Sequence, residues 1–199
     1  FTPTQSGTIT ITDDATILLT SPTGTDNQTV CFNSPISSIT YAIGGSGTGA
    51  TVTGLPAGVT GIFAGGVFTI SGSPTAAGTF NFTVTTTGPC VKPAVNGTIN
   101  VTPDGTITLT SAPATQNQTL CINTAVTNIV YTTGGSTSGG FVTGLPPGVT
   151  GVYAAGVITI SGAPTVTGTY NCTVTTTGPC NNPTRTGSII VNPDATISL

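Results

Sequence analysis

Apolar and polar residues alternate along most of this chain with a period of two, and no stretch shows a helical period. Residues 16–20 place Ile17 and Leu19 on one face, and residues 28–33 place Val30 and Phe32 there. Residues 36–43 align Ile39, Tyr41 and Ile43, while 50–53 is a short segment of the same kind. Residues 67–71 carry Phe68 and Ile70, 79–86 carry Phe80, Phe82 and Val84, and 96–102 carry Ile99 and Val101. Each segment predicts a strand with one buried and one solvated face. Gly, Pro, Asn and Ser clusters separate them and predict turns. The runs Gly44-Gly45-Ser46-Gly47 and Gly134-Gly135-Ser136 predict a loop after the third strand.

The pattern then repeats, with a period of 90. Cys31 recurs as Cys121, Cys90 as Cys180, and Gly54-Leu55-Pro56 as Gly144-Leu145-Pro146. Without a gap, about 52 positions of 14–103 are identical in 104–193. Seven short strands in about 90 residues are the signature of an Ig-like sandwich. The expected fold is therefore all-β, with tandem Ig-like β-sandwich repeats of about seven strands at 14–103 and 104–193. Residues 1–13 match the last strand of a repeat, since Gly7-Thr8-Ile9 corresponds to Gly97-Thr98-Ile99. Residues 194–199 match a first strand. The simplest expectation is a window onto a longer array; the alternative is that the overhanging strands complete neighbouring subunits. The joints Thr12-Asp13-Asp14, Thr102-Pro103-Asp104 and Asn192-Pro193-Asp194 are short, and two hold a φ-restricting proline. They predict a stiff rod.

Composition sharpens this picture. Thr accounts for 47 of the 199 residues, while the charged fraction is 4% and the net charge −3. The only basic residues are Lys92 and Arg185, too few to neutralise a phosphate backbone, so nucleic acid is not an expected partner. No apolar run reaches the roughly 18 residues of a membrane-spanning helix, so no membrane insertion of this segment is expected. A surface with so little charge does little to oppose self-association. Neighbouring repeats or identical subunits are the expected partners.

Catalytic chemistry lacks its usual side chains. His and Glu are absent and the Asp residues lie mainly at repeat joints, so general acid–base pairs and His-activated nucleophiles cannot be assembled. The chain is expected not to be an enzyme and to need no cofactor. Calcium is the one ion to weigh, with Asp13, Asp14, Asp104 and Asp194 as candidate ligands at the joints. A tight site needs more carboxylates than one or two, and an Asp that caps a turn is the favoured reading. Six Asn-x-Thr sequons occur, at Asn27, Asn81, Asn96, Asn100, Asn117 and Asn171.

Periodic cysteine pairs in a charge-poor β-protein predict a disulfide in each repeat, Cys31–Cys90 and Cys121–Cys180, and an oxidising compartment. Val30 and Phe32 point inward, so Cys31 is expected to face outward, and the bond to tie a strand to a terminal loop. Cys172 stands where Phe82 stands in the first repeat. It is expected to be a buried free thiol that leaves some space unfilled. Phe63 and Tyr153, expected in a loop, are the candidate ligand contacts of a sugar-binding alternative.

The stretch Gly54-Leu55-Pro56-Ala57-Gly58-Val59, then Ile70-Ser71-Gly72-Ser73-Pro74-Thr75 and Gly78-Thr79-Phe80, resembles the Ig-like repeats of large bacterial cell-surface and adhesin proteins. The second copy matches at 144–148 and 160–174. The Val-Cys-x-Asn and Gly-Pro-Cys elements are similar to repeats of Bacteroidota surface adhesins. The resemblance implies an extracellular or cell-surface location and a rigid stalk or filament. Two alternatives stand beside it: a glycan- or surface-binding adhesin module, and accessory domains of a secreted hydrolase.

Overall fold

The structure, a computed structural model, describes residues 3–195. The chain divides into two compact units, Phe1–Val101 and Thr102–Leu199. In the first, β1 (Thr16–Leu19), β3 (Ile39–Gly44), β6 (Val67–Gly72) and β5 (Val59–Ala64) form one sheet in the order β1-β3-β6-β5. The other sheet is β2-β8-β7-β4, from β2 (Asn27–Cys31), β8 (Ala94–Thr102), β7 (Gly78–Thr87) and β4 (Gly49–Thr53). The second unit repeats this as β9 (Thr106–Leu109), β11 (Ile129–Gly134), β14 (Val157–Gly162) and β13 (Val149–Ala154) on one side. Facing them are β10 (Asn117–Cys121), β16 (Thr184–Asn192), β15 (Gly168–Thr177) and β12 (Gly139–Thr143). The leading edge of each unit is split, one segment in each sheet, around the two-sheet order of an Ig-like sandwich.

The inward residues read from alternation meet in one core per unit. Ile39, Tyr41, Phe68, Ile70, Phe82, Val84, Ile99 and Val101 are buried, with Ile17, Leu19, Val30, Phe32, Ile43 and Phe80 packed against them. The second unit uses Ile129, Tyr131, Ile158, Ile160, Val174, Ile189 and Val191 in the same way. Apolar burial of this kind is the main favourable term in a fold so poor in charge.

Among the described residues each unit has eight strands where about seven were expected. The extra ones are β5 and β13, joined to β6 and β14 by two-residue turns. Gly65 and Gly66 (φ 56° and 81°), and Ala155 and Gly156 (φ 47° and 80°), hold the left-handed pair that a tight hairpin needs. Phe63 and Tyr153 are therefore strand residues, not loop residues. Each is half-buried against its core and lies opposite Phe68 or Ile158.

The cysteine pairing also differs. The disulfide-bonded cysteines are Cys31 and Cys180, while Cys90, Cys121 and Cys172 are free thiols. The expected bonds Cys31–Cys90 and Cys121–Cys180 are not formed. Strand direction explains why. Cys121 ends β10 and stands beside Asn192, the last residue of β16. Cys180 precedes β16 at its other end, where its Sγ lies 3.8 Å from the Thr102 carbonyl oxygen. The nine residues of Thr184–Asn192 separate them, a span of roughly 30 Å. A disulfide needs Cα atoms within about 7 Å.

Residues 3–13 form no strand, and Ile9 and Ile11 are 91% and 90% exposed. Their counterparts Ile99 and Val101 lie buried in β8, where a ladder partner is present. Of the segment 194–199, residues 196–199 lie outside the described residues.

Candidate functional site

Two features recur in both units: a polar depression on one sheet, and a cysteine at each end. The depression forms where the last strand carries a glycine. In the first unit, Asn27, Asn81, Phe82, Thr83, Asn96, Gly97 and Thr98 line a hollow of about 330 Å³. In the second, Gln116, Asn117, Asn171, Cys172, Thr173 and Gly187 are among the lining of one of about 520 Å³. A Cβ on Gly97 would stand 2.3 Å from Phe82 Cζ, so the glycine makes room for the ring. At Gly187 the corresponding neighbour is Cys172 Sγ at 3.4 Å. The thiol fills less than the ring does, which accounts for the larger hollow. Cys172 is buried, and burial pushes its thiol pKa up. It is a core residue whose burial disfavours the reactive thiolate form.

The asparagines around the hollow have structural partners. Thr83 donates to Asn96 Oδ1 at 2.8 Å, Thr98 to Asn81 Oδ1 at 3.0 Å, and Thr79 to Asn100 Oδ1 at 3.1 Å. These are directly opposed positions of β7 and β8. In the second unit Ser188 donates to Asn117 Oδ1 at 2.9 Å. Residues two apart in a strand share a face. An outward Asn-x-Thr therefore arises in the very places where Asn and Thr form cross-strand pairs. Three of the six sequon asparagines, Asn81, Asn96 and Asn100, owe their position to this ladder.

At the leading end of the first unit, Asp14 Oδ1 accepts from Val91 N at 3.3 Å, and Ala15 N donates to Val91 O at 3.3 Å. Cys90 Sγ donates to the Thr12 carbonyl at 3.7 Å. In the second unit Gly105 N donates to Asn181 O at 2.9 Å beside Cys180. The Asp14 carboxylate thus ties a loop. No group of three or more metal-ligating side chains occurs among the described residues, at Asp13, Asp14, Asp104 and Asp194 or elsewhere. At the trailing end, Cys121 is exposed and Asn123 N donates to Pro164 O. Sequence reasoning placed Cys31 within a strand, facing outward, and Cys90 in a loop beyond the end of another strand. It missed that those strands run in opposite directions.

The fold and its recurring surface define a tandem Ig-like β-sandwich protein. A three-domain titin structure, "3Ig structure of titin domains I67-I69 E-to-A mutated variant", is similar with a TM-score of 0.60 and 10% identity. It aligns with 92% of this chain and 67% of its own. "I-band fragment I67-I69 from titin" is similar with a TM-score of 0.58 and 10% identity, over 84% of this chain. The chain spans 63% of the length of that fragment. At such identity the likeness concerns the fold. No family profile matches the chain, and no curated protein matches it.

Proposed function

We propose that the chain is a load-bearing repeat segment of an extracellular bacterial surface protein, working as a stalk or filament. One observation carries this reading. In the second unit β10, near its beginning, and β16, at its end, are parallel neighbours, in register from Asn117↔Ser188 to Cys121↔Asn192. Tension along the chain pulls these two strands in opposite senses. Their ladder is then loaded in shear, so its hydrogen bonds must fail together and not one by one. A module built for spacing needs that property. The disulfide-bonded cysteines suit an oxidising compartment, and the resemblance to bacterial surface repeats suits the cell exterior.

The test is single-molecule pulling of the reduced chain from its two ends. Two abrupt unfolding events at similar force are expected, each releasing about 300 Å of chain. Smooth extension without force peaks would remove the load-bearing role. A glycan-binding role has one observation in its favour, the asparagine-lined hollow present in both units. Retention on immobilised polysaccharide that Asn171→Ala or Asn81→Ala abolishes would make it the better reading.

A further inference from the structure

We propose that the outer face of the β10-β16-β15-β12 sheet in the second unit binds a chain of uncharged sugar rings, with Phe141 as the stacking surface and the hollow at Asn171 as the polar subsite. The proposal rests on the glycan-binding reading of that hollow and deepens it by naming the ligand class and the face. Along β12, Val142 packs on the core while Phe141 turns outward and is 49% exposed. Phe141 stands opposite Thr175 of β15, and Thr143 opposite Thr173. Thr173 in turn faces Thr186 of β16, and Asn171 faces Ser188. Residues two apart in a strand share a face. The ring, the threonines and the hollow therefore lie on one surface of one unit. Asn171 lies about 13 Å further along β15 than Thr175, a reach that suits several linked rings and not one.

A pyranose ring presents C–H groups on its faces and hydroxyls around its edge. The C–H face packs on the electron-rich face of an aromatic ring. The hydroxyls exchange hydrogen bonds with amides and hydroxyls, which both donate and accept. This surface supplies both kinds of contact. The outward positions of its four strands are mostly Thr, Asn and Ser, and none is charged. Arg185 of β16 stands opposite the buried Val174, on the inward side, and its Nη2 donates to the Ile107 carbonyl of the other sheet at 3.4 Å. An acidic polysaccharide finds no cation here to pair with, whereas a neutral one needs none. The Asn171 amide is also better placed than its counterpart. In the first unit Thr98 donates to Asn81 Oδ1. Ser188, which replaces Thr98, donates to Asn117 instead, so the Asn171 amide is not taken up by that pair. The first unit has Thr51 where the second has Phe141, at the same register opposite Thr85. Its hollow lacks the ring, which makes it an internal control.

The experiment is a nuclear magnetic resonance titration of the whole isotope-labelled chain with cellohexaose, laminarihexaose, mannohexaose and xylohexaose, and with hexagalacturonate as the charged comparison. At least one neutral oligomer should shift the amides of Phe141, Asn171 and Ser188, with smaller shifts at Thr51 and Asn81. Hexagalacturonate should bind more weakly than that oligomer. Phe141→Ala should weaken binding about tenfold, and Phe141→Tyr should restore it. Because Phe141 is on the surface, both variants should keep the dispersed spectrum of the folded chain. No shift with any neutral oligomer would overturn the proposal. So would equal shifts around Asn81, equal or tighter binding of hexagalacturonate, or an affinity unchanged in Phe141→Ala. Retention on polysaccharide that survives Phe141→Ala but not Asn171→Ala would overturn the stacking site and leave the glycan-binding reading standing. Force peaks in the pulling experiment are independent of either result.

Discussion

Cys172 shows what one side chain does to one unit. It replaces the ring that Phe82 supplies in the sister repeat, and the surrounding hollow is correspondingly larger. The Cys172→Phe variant should stabilise the second unit by about 1 kcal/mol, since buried apolar volume is regained where a glycine already leaves room. Differential scanning calorimetry should show that unit's transition rise by several degrees. The reverse change, Phe82→Cys, should lower the first unit's transition. Two tyrosines set the alkaline limit. Desolvation, with a smaller contribution from Asp26, pushes Tyr41 up to about 12, and burial raises Tyr131 as well. The Tyr41 hydroxyl is buried without a hydrogen-bond partner. A folded-state pKa above the unfolded value means the folded chain holds its proton longer. Stability is therefore full below about pH 10 and declines as pH rises toward 12. Absorbance of ionised tyrosine and circular dichroism followed together should show Tyr41 ionising as the first unit unfolds. Ionisation near pH 10 with the fold intact would contradict this.

At the scale of elements, the split leading edge depends on one glutamine in each repeat. Gln28 Nε2 donates to Thr25 O at 2.6 Å and Ser37 O at 3.0 Å, and its Oε1 accepts from Ser37 N at 2.9 Å. Gln118 repeats the clamp with Thr115 and Thr127. The chain crosses from one sheet to the other in this region, and its backbone groups there have few ladder partners. Gln28→Ala should cost the first unit about 1–3 kcal/mol, measured by urea denaturation, and Gln118→Ala should cost the second a similar amount. The hairpin of β5 and β6 is an element the alternation pattern concealed. Its Gly65-Gly66 turn is a hairpin signal in its own right. Ile62 is 63% exposed there while Phe63 packs on the core, so the apolar–polar contrast of the strand is weak. The Gly54-Leu55-Pro56 motif is legible for a different reason. Gly54 holds φ 83°, and a Cβ there would stand 2.2 Å from the Asn81 carbonyl oxygen, so the turn admits glycine alone.

For the whole molecule, disulfide content is the property to measure. Titration of thiols in denaturant should find three per chain before reduction, from Cys90, Cys121 and Cys172, and five afterwards. Five before reduction would mean that no bond forms, and one would mean that each repeat holds its own. Because no repeat closes a disulfide on itself, reduction should leave each unit folded, with its core intact by near-ultraviolet circular dichroism.

The sequence by itself determined the class of fold, the 90-residue repeat and almost the whole core. Period-two alternation assigns Ile39, Tyr41, Phe68, Ile70, Phe82, Val84, Ile99 and Val101 to one side of their strands, and burial follows from that side facing another sheet. It also marked Cys172 as a buried thiol, because its counterpart is an inward phenylalanine. Tertiary structure alone decided what lies beside what. The asparagines of β7 and β8 pair with threonines through register, which no local pattern carries. Cys31 is the last residue of β2 and Cys90 follows the end of β7. Those strands run in opposite directions, so the two sulfurs lie at opposite ends of one sandwich. Alternation reports which face a residue takes; it does not report which end of the sheet the strand has reached.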